Sequence, residues 1–538
     1  MSEQATGVQR HPRGIGFIIG NEGCERFSFY GMRAILTEHL ISLYAQSMHL
    51  NAADAKTAAT ADYHLFTAAA YALPMIGAIL ADRLLGKYRT IFWLSLVYCL
   101  GHAVLAVGEG SIGGMHLGLA LIAVGSGGIK PCVSAFVGDQ YRGGQEKLVE
   151  KIFQAFYFII NFGSFFATLL VPWLKVRFGP AVAFGVPGIL MGLATFILWL
   201  GRKRYIHAPP APGGRLGLLD AASSTFLFLS LGSLWFTGAL PWYGKLAVSA
   251  ACIAAGLALF AWRARIEPDR GVLSVLWQGL RYREDAPTIW HALQWHVVRN
   301  RAGTETIWEA AERRLDLAAV DGTRAVLRLL SVFALVSVFW ALFDQRGSSW
   351  VVQAKDMLRT FDTPFGAMTV QASQINALNP LFVMLLIPLM AGVLLPAWRR
   401  LGLRVTPLGK MTAGMGISAL SFVAIALIQR QIDASAPLSV SVLWQVLPFV
   451  LITLGEVLVS VTGLEFAYTQ APRAMKSTVV GLWSLSVSVG NLLVALLAGL
   501  KSLPPERFFW VFAALMALSA LLFAWRARSF RGQVVLQG

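Results

Sequence analysis

The sequence predicts an all-α protein that crosses a membrane many times. Of its 538 residues, 56% are hydrophobic and 14% are charged, whereas a soluble domain carries about 25% charged residues. Apolar runs of about 20 residues, the length of helix that crosses a bilayer, recur along the whole chain. These two observations favour a polytopic helical membrane protein over a soluble one.

Fourteen segments satisfy this length criterion. One polar stretch, residues 264–324, separates the eighth segment from the ninth and suggests one or two surface helices. We therefore predict an amino-terminal bundle of six helices (1–205), an extra pair of membrane helices (216–263) without a buried acid or base, a cytoplasmic linker (264–324) and a carboxy-terminal bundle of six helices (325–538). The fourteen segments lie near residues 15–44, 61–81, 88–108, 115–138, 152–174, 181–200, 221–239, 245–263, 326–345, 375–396, 408–428, 442–466, 478–500 and 508–525.

The basic residues predict the orientation of these spans. The net charge is +17, but Lys and Arg are concentrated in alternate short loops, which by the positive-inside rule places both termini in the cytoplasm. This distribution excludes nucleic acid as a partner. The four cysteines lie inside apolar segments without metal-ligand spacing, so we expect neither a metal site nor a disulfide framework.

The first span contains a run of charge, NEGCERFSFYGMR, at residues 21–33. At about 100° per residue, four charged side chains and one tyrosine fall within roughly 140° of one another on the helix. Charged groups inside a membrane are costly and occur mostly where they pair or line a pathway. Two interpretations are open: a static ion pair, or a spare carboxylate that carries a proton. The five residues are Glu22, Glu25, Arg26, Tyr30 and Arg33.

Other spans of the amino-terminal half also carry polar groups. Lys130 lies in mid-span and needs a counter-ion, because it is too far from either end to reach water. Tyr157 and Asn161 lie one turn apart and can hydrogen-bond together. His64, at the outer end of the second span, can titrate near physiological pH, although a single histidine at a helix end is more often a surface group.

The carboxy-terminal half supplies the opposite charge. Asp344 follows an apolar run, Glu456 lies in the middle of another, and Asn379 opens the span between them. Set against the cations Arg33 and Lys130, these acids predict a dipolar cavity that a zwitterion such as a short peptide would satisfy. The aromatic residues that can line side-chain pockets, or serve as ordinary packing, are Tyr30, Tyr71, Tyr157, Trp340 and Trp483.

Five motifs resemble those of the proton-dependent oligopeptide transporter family, part of the major facilitator superfamily. The run ERFSFYG after Glu22 resembles the ExxERFxYY motif, with Phe29 in place of its first tyrosine. The extra pair of spans and the short loop near residues 429–441 resemble the bacterial members. The other four motifs, in family order, are GAILADRLLGKYRTIFWLSLVYCLG, FQAFYFIINFGSF, FWALFDQRGSSW and GEVLVSVTGLEFAYTQAP.

The resemblance implies the major facilitator fold and individual roles. It assigns Glu22, Glu25 and Arg26 to proton coupling. Asp344 would form gate salt bridges, and His64 matches a histidine that handles protons in the animal members. The residues expected to hold the two ends of a peptide are Arg33 and Lys130 for the carboxylate and Asn161, Asn379 and Glu456 for the amino terminus.

The resulting hypothesis is a proton-coupled symporter that imports di- and tripeptides by alternating access. It would act as a monomer in the bacterial inner membrane, use the proton as coupling ion without a cofactor, and accept peptide-like drugs. Three alternatives stay open: a carrier of another anion or zwitterion such as nitrate, a membrane-embedded enzyme, and a non-transporting peptide sensor. Lys130 and Glu456, one for each peptide terminus, favour peptides, and the spans show no nucleophile with its base that would favour an enzyme.

Overall fold

The computed structural model describes residues 11–141, 146–236, 241–267, 272–281, 307–313, 315, 317–364, 366–400, 402, 406–470, 476–498 and 503–530. Helices make up most of this part of the chain. They are α1 (Ile15–Ser47), α2 (Ala52–Ala72), α3 (Pro74–Leu80), α4 (Lys87–Val107), α5 (Ile112–Asp139), α6 (Glu146–Phe178), α7 (Pro180–Leu200), α8 (Gly214–Phe236), α9 (Trp242–Ile266), α10 (Val272–Arg281), α11 (Ile307–Glu312), α12 (Leu317–Phe343), α13 (Ser349–Lys355), α14 (Leu378–Leu389), α15 (Leu395–Arg400), α16 (Pro407–Ala434), α17 (Val446–Glu456), α18 (Thr462–Gln470), α19 (Lys476–Ala498) and α20 (Pro505–Ser529).

Within the described residues, eleven helical stretches are long and apolar enough to cross a membrane. The other three predicted spans fall on α1, α8 and α19. All fourteen predicted spans therefore coincide with helix, except that residues 237–239 and 499–500 lie outside the described part. In the predicted linker the structure describes α10 and α11, and residues 282–306 lie outside it.

Several spans are interrupted close to the polar residues. Asp344–Gly347 forms a 3₁₀ turn directly after α12. A π-helical turn, Val457–Val461, begins directly after Glu456 at the end of α17. Such turns are frequent at functional sites because they re-aim side chains and loosen the backbone ladder. Two further π-helical turns, Ala81–Leu85 and Met390–Leu394, follow α3 and α14.

The described residues group into two compact units. One is drawn from Met1–Ala211, Leu335–Gly463 and Ser484–Phe530, and the other from Pro212–Ala334 and Leu464–Trp483. In the first unit, α1 packs against α2, α5, α6 and α7, while α16 packs against α17 and α20. Most of the length of α1 is therefore buried, as its charged residues require.

The second unit contains α8 packed along α9. The Arg263 Nε atom lies 2.7 Å from Asp220 Oδ1, and the Arg263 side chain is buried. The expectation that this helix pair carries no buried acid or base is wrong. Both residues lie at the edges of the apolar runs, and α8 and α9 extend far enough past those runs for the two charges to meet.

A small hairpin departs from the all-α prediction. Strands β1 (Thr360–Thr363) and β2 (Gly366–Thr369) pair antiparallel. Strands of four residues are too short to show an alternating pattern in the sequence. Gly366 has a φ of 109°, which is the backbone conformation that a glycine allows at a tight turn.

Candidate functional site

Two acids share one base on α1. The Arg26 Nε atom lies 2.6 Å from Glu22 Oε1 and 3.3 Å from Glu25 Oε2. Both carboxylates are fully buried. Among the described residues, no hydrogen bond reaches Glu22 Oε2 or either oxygen of Glu25. One negative charge is thus in excess, and a proton can neutralise it.

Lys130, on α5, is held by aromatic rings. Its Nζ atom lies 3.4 Å from the centre of the Phe29 ring and 4.5 Å from that of Tyr71. It makes no hydrogen bond or salt bridge with any residue that the structure describes. The expected counter-ion makes no direct salt bridge with Lys130: cation–π contacts stabilise the ammonium, and its charge interacts with Glu25 at longer range. The charge stays available for an anionic ligand.

Arg33 is bonded to two residues that lie far apart in the chain. Its Nη2 atom donates to the Tyr63 hydroxyl at 2.5 Å and lies 3.0 Å from Asp344 Oδ1. The second oxygen of Asp344 accepts a hydrogen bond of 2.7 Å from Asn491 Nδ2. Both carboxylate oxygens are therefore bonded, as a buried charge requires.

His64 belongs to the same network. Its Nδ1 atom lies 2.7 Å from Asn491 Oδ1 and its Nε2 atom 2.8 Å from Ser348 Oγ. The side chain is fully buried, so the interpretation of His64 as a surface group at a helix end is wrong. Helix α2 begins at Ala52, about nine residues before the predicted span, and this places His64 inside the helix. Asn491 therefore joins His64 to Asp344.

Other contacts join the two halves of the sequence within the first unit. The Thr37 hydroxyl donates to the Gly347 carbonyl at 2.8 Å, and that of Ser488 donates to the Ala68 carbonyl at 2.8 Å. An exposed ion pair, Lys56 with Asp356, adds to them at 3.7 Å. The Thr37–Gly347 and Lys56–Asp356 contacts, with Arg33–Asp344, lie toward the end of the spans where α1 ends and α2 begins, whereas Ser488–Ala68 lies near mid-span. The two halves are joined at that end.

Glu456, the other predicted acid of the carboxy-terminal half, accepts a hydrogen bond from an amide side chain. Asn379 Nδ2 donates to Glu456 Oε2 at 2.7 Å and to Thr453 Oγ1 at 3.0 Å. Helix α14, which carries Asn379, packs against α17 and against α6, which carries Tyr157, and α6 in turn packs against α1. The structure thus brings α1, α6, α14 and α17 together around this carboxylate.

The remaining predicted residues are spread more widely. Asn161 Nδ2 donates to the backbone carbonyl of Tyr157 at 2.9 Å. Trp340 is buried, with its ring edge-to-face against Phe343 at 5.5 Å. Trp483 belongs to the second unit, where its ring lies 5.4 Å from that of Phe333.

Four residues of this site were not assigned a role from the sequence. Asn491 is an isolated polar group in an apolar span, the same signal that marks Lys130, whereas Tyr63 lies between Asp62 and His64 and carries no such signal. Phe29 drew attention only as a departure from a motif. The fourth, Arg346, follows a span and reads as an ordinary loop residue, yet it interacts electrostatically with Glu456.

With this geometry established, comparison with known proteins decides the family. The sequence profile of the POT family matches residues 88–515. The chain belongs to the POT family. The match covers well over half of the chain and includes four of the five motifs in whole or in part.

Curated POT-like relatives include animal proteins. Human "Solute carrier family 15 member 1" is 32% identical over 453 residues, which are 79% of this chain and 53% of the relative. "Peptide transporter 3" of Caenorhabditis elegans is 33% identical over 440 residues, which are 79% of this chain and 52% of the relative. The chain therefore spans about half the length of these relatives.

Solved structures match over nearly the full length of both chains. The POT family transporter PepTSo is 40% identical, with a TM-score of 0.77 and coverage of 97% of this chain and 99% of that one. An auto-inhibited POT family peptide transporter is 38% identical, with a TM-score of 0.78 and coverage of 98% and 99%. The prediction of an all-α polytopic membrane protein with this family's fold is confirmed.

Proposed function

We propose that this POT protein is a proton-coupled symporter that imports di- and tripeptides by alternating access. One observation carries the proposal: the Lys130 ammonium, which has no hydrogen-bond partner among the described residues, lies against Phe29, one turn along α1 from the carboxylate Glu25. The proposed anion-binding cation of α5 thus lies against the helix, α1, that carries the proposed proton-accepting carboxylate. The names of the relatives, which include peptide transporters, and a POT structure in complex with alafosfalin support peptides and peptide-like compounds as cargo.

In the proposed mechanism, Lys130 and Arg33 bind the peptide carboxylate while Glu456, Asn379 and Asn161 bind its amino group. A carboxylate at Arg33 competes with Asp344, so substrate weakens the contact that joins the two halves. A proton on Glu22 or Glu25 releases Arg26 from one of its two partners. Each proton moving down a potential of 100 mV supplies about 2.3 kcal/mol for the cycle.

The proposed setting is the bacterial inner membrane, with both termini cytoplasmic and the protein acting as a monomer. The positive loops support this orientation. In it, the end of the spans joined by Arg33–Asp344, Thr37–Gly347 and Lys56–Asp356 faces outward. The proposal needs no cofactor besides the proton, and His64 takes part through its connection to Asp344.

The test uses the purified full chain in liposomes. We expect labelled dialanine to accumulate when an inward proton gradient is applied and to equilibrate without accumulation when it is dissipated. Lys130→Ala should abolish this uptake, whereas Lys245→Ala, outside the site, should leave it intact. Saturable binding without flux would show a sensor instead, and peptide cleavage would show an enzyme. Uptake unaffected by the gradient would contradict proton coupling.

A further inference from the structure

Arg346 is a cation in the first unit that the proposed mechanism does not use. It lies in the turn Asp344–Gly347, where its guanidinium carbon stacks 3.8 Å from the centre of the Phe343 ring. The side chain is half-buried. No carboxylate of the described residues lies within salt-bridge distance of it. Stacking on the aromatic ring holds the guanidinium in position but does not neutralise its charge.

The surroundings of Arg346 are those of the substrate site. It lies two residues after Asp344, the partner of Arg33, and its charge is within electrostatic range of Glu456 on α17. The turn is fixed on both sides of Arg346, because Asp344 pairs with Arg33 and the Gly347 carbonyl accepts from Thr37. The direction of the Arg346 side chain is therefore set by the fold.

The charges that face the substrate do not cancel. Arg33 and Asp344 neutralise each other, and the negative charge in excess at Glu22, Glu25 and Arg26 is removed by the coupling proton. Of the charged site residues that the structure describes, Lys130 and Arg346 then face one acid, Glu456. A zwitterionic peptide is neutral, so with such a peptide bound one positive charge of the site has no partner. A peptide with one further carboxylate removes that excess.

We propose that Arg346 binds a side-chain carboxylate of the substrate and gives this transporter a preference for acidic peptides. The inference rests on the proposed function. In the proposed mechanism Glu456 binds the peptide amino group, and Arg346 interacts electrostatically with Glu456, so we assign the carboxylate concerned to the side chain of the first residue. The dipolar cavity expected from the sequence is accordingly asymmetric, because the carboxy-terminal half supplies a cation as well as acids.

The test compares two peptides that differ by one charge. Asp-Ala and Asn-Ala have nearly the same size, and each is used to inhibit gradient-driven uptake of labelled dialanine. In wild-type protein, we expect Asp-Ala to inhibit uptake at a concentration about tenfold lower than Asn-Ala does. This is the factor that a charge-assisted hydrogen bond supplies. Arg346→Gln should abolish this ratio and Arg346→Lys should keep part of it, each measured against the dialanine uptake that the variant retains.

Arg202→Gln is the matched control, because Arg202 also stacks on a ring, Trp199 at 3.7 Å, but lies in the 3₁₀ turn Gly201–Lys203 after α7. It should keep the wild-type ratio. Equal inhibition of wild type by the two peptides would overturn the inference even if Arg346→Gln does not fold. A ratio that survives in Arg346→Gln would overturn it too. Wild type without gradient-driven dialanine uptake would instead contradict the proposed function itself.

Discussion

Arg33 and Asp344 form a buried ion pair across 311 residues of sequence, with Nη2 3.0 Å from Oδ1. The pair joins α1 to the turn after α12 and lies within a network that includes Tyr63, Asn491 and His64. It is both a structural link between the halves and, in the proposed mechanism, the contact that substrate must weaken.

Replacement of Asp344 tests whether the Arg33–Asp344 pair stabilises the folded protein. We expect Asp344→Ala to lower the thermal unfolding midpoint by several degrees in detergent, because breaking a buried ion pair costs about 3–5 kcal/mol. Asp356→Ala is the matched control. Its pair with Lys56 is 3.7 Å long and Asp356 is 52% exposed, so its midpoint should hardly change. Equal shifts in the two variants would contradict the description.

Asn491 positions His64 and Asp344 together, and a double-mutant cycle measures this coupling. We expect Asn491→Ala and His64→Ala each to reduce gradient-driven uptake, and the double variant to lose little more than the more severe single one. Residues in one hydrogen-bond network are non-additive because the first removal already breaks it. Fully additive losses would show that the two side chains act independently.

Phe29 is expected to position Lys130 through its ring. Phe29→Leu keeps an apolar side chain but removes the cation–π contact, so we expect KM for dialanine to rise about fivefold, as for a contact of about 1 kcal/mol. Phe29→Tyr keeps the ring and should restore the wild-type KM. Because Phe29 is fully buried, both variants are compared with wild type at a temperature well below their unfolding midpoints. A wild-type KM for Phe29→Leu would show that the Phe29 ring does not position Lys130.

The sequence was sufficient for the spans and for most of the charged positions. Hydropathy identifies helices that cross a bilayer, and a charge inside such a run is conspicuous because its burial is costly. This is why Glu22, Glu25, Lys130 and Glu456 were found without coordinates. The functional roles of these residues came from the family resemblance, because hydrophobic periodicity indicates no function.

The errors concern partners that lie far apart in the chain. Lys130 is 101 residues from Phe29, so its aromatic contact cannot be seen from local pattern. His64 was misplaced because the first turns of α2 are rich in alanine and polar residues, with Asn51 as the cap, and hydropathy underestimates such a helix start. Arg346 was passed over because a charge just after a span is usually solvated.

The central claim is that α1 couples proton movement to peptide movement through Glu22 and Glu25. The most direct measurement compares gradient-driven accumulation with peptide counterflow in liposomes containing Glu22→Gln or Glu25→Gln protein. Counterflow exchanges labelled for unlabelled dialanine and needs no net proton movement. We predict that accumulation is lost in at least one variant while its counterflow persists. Accumulation at the wild-type level in both variants would contradict the claim.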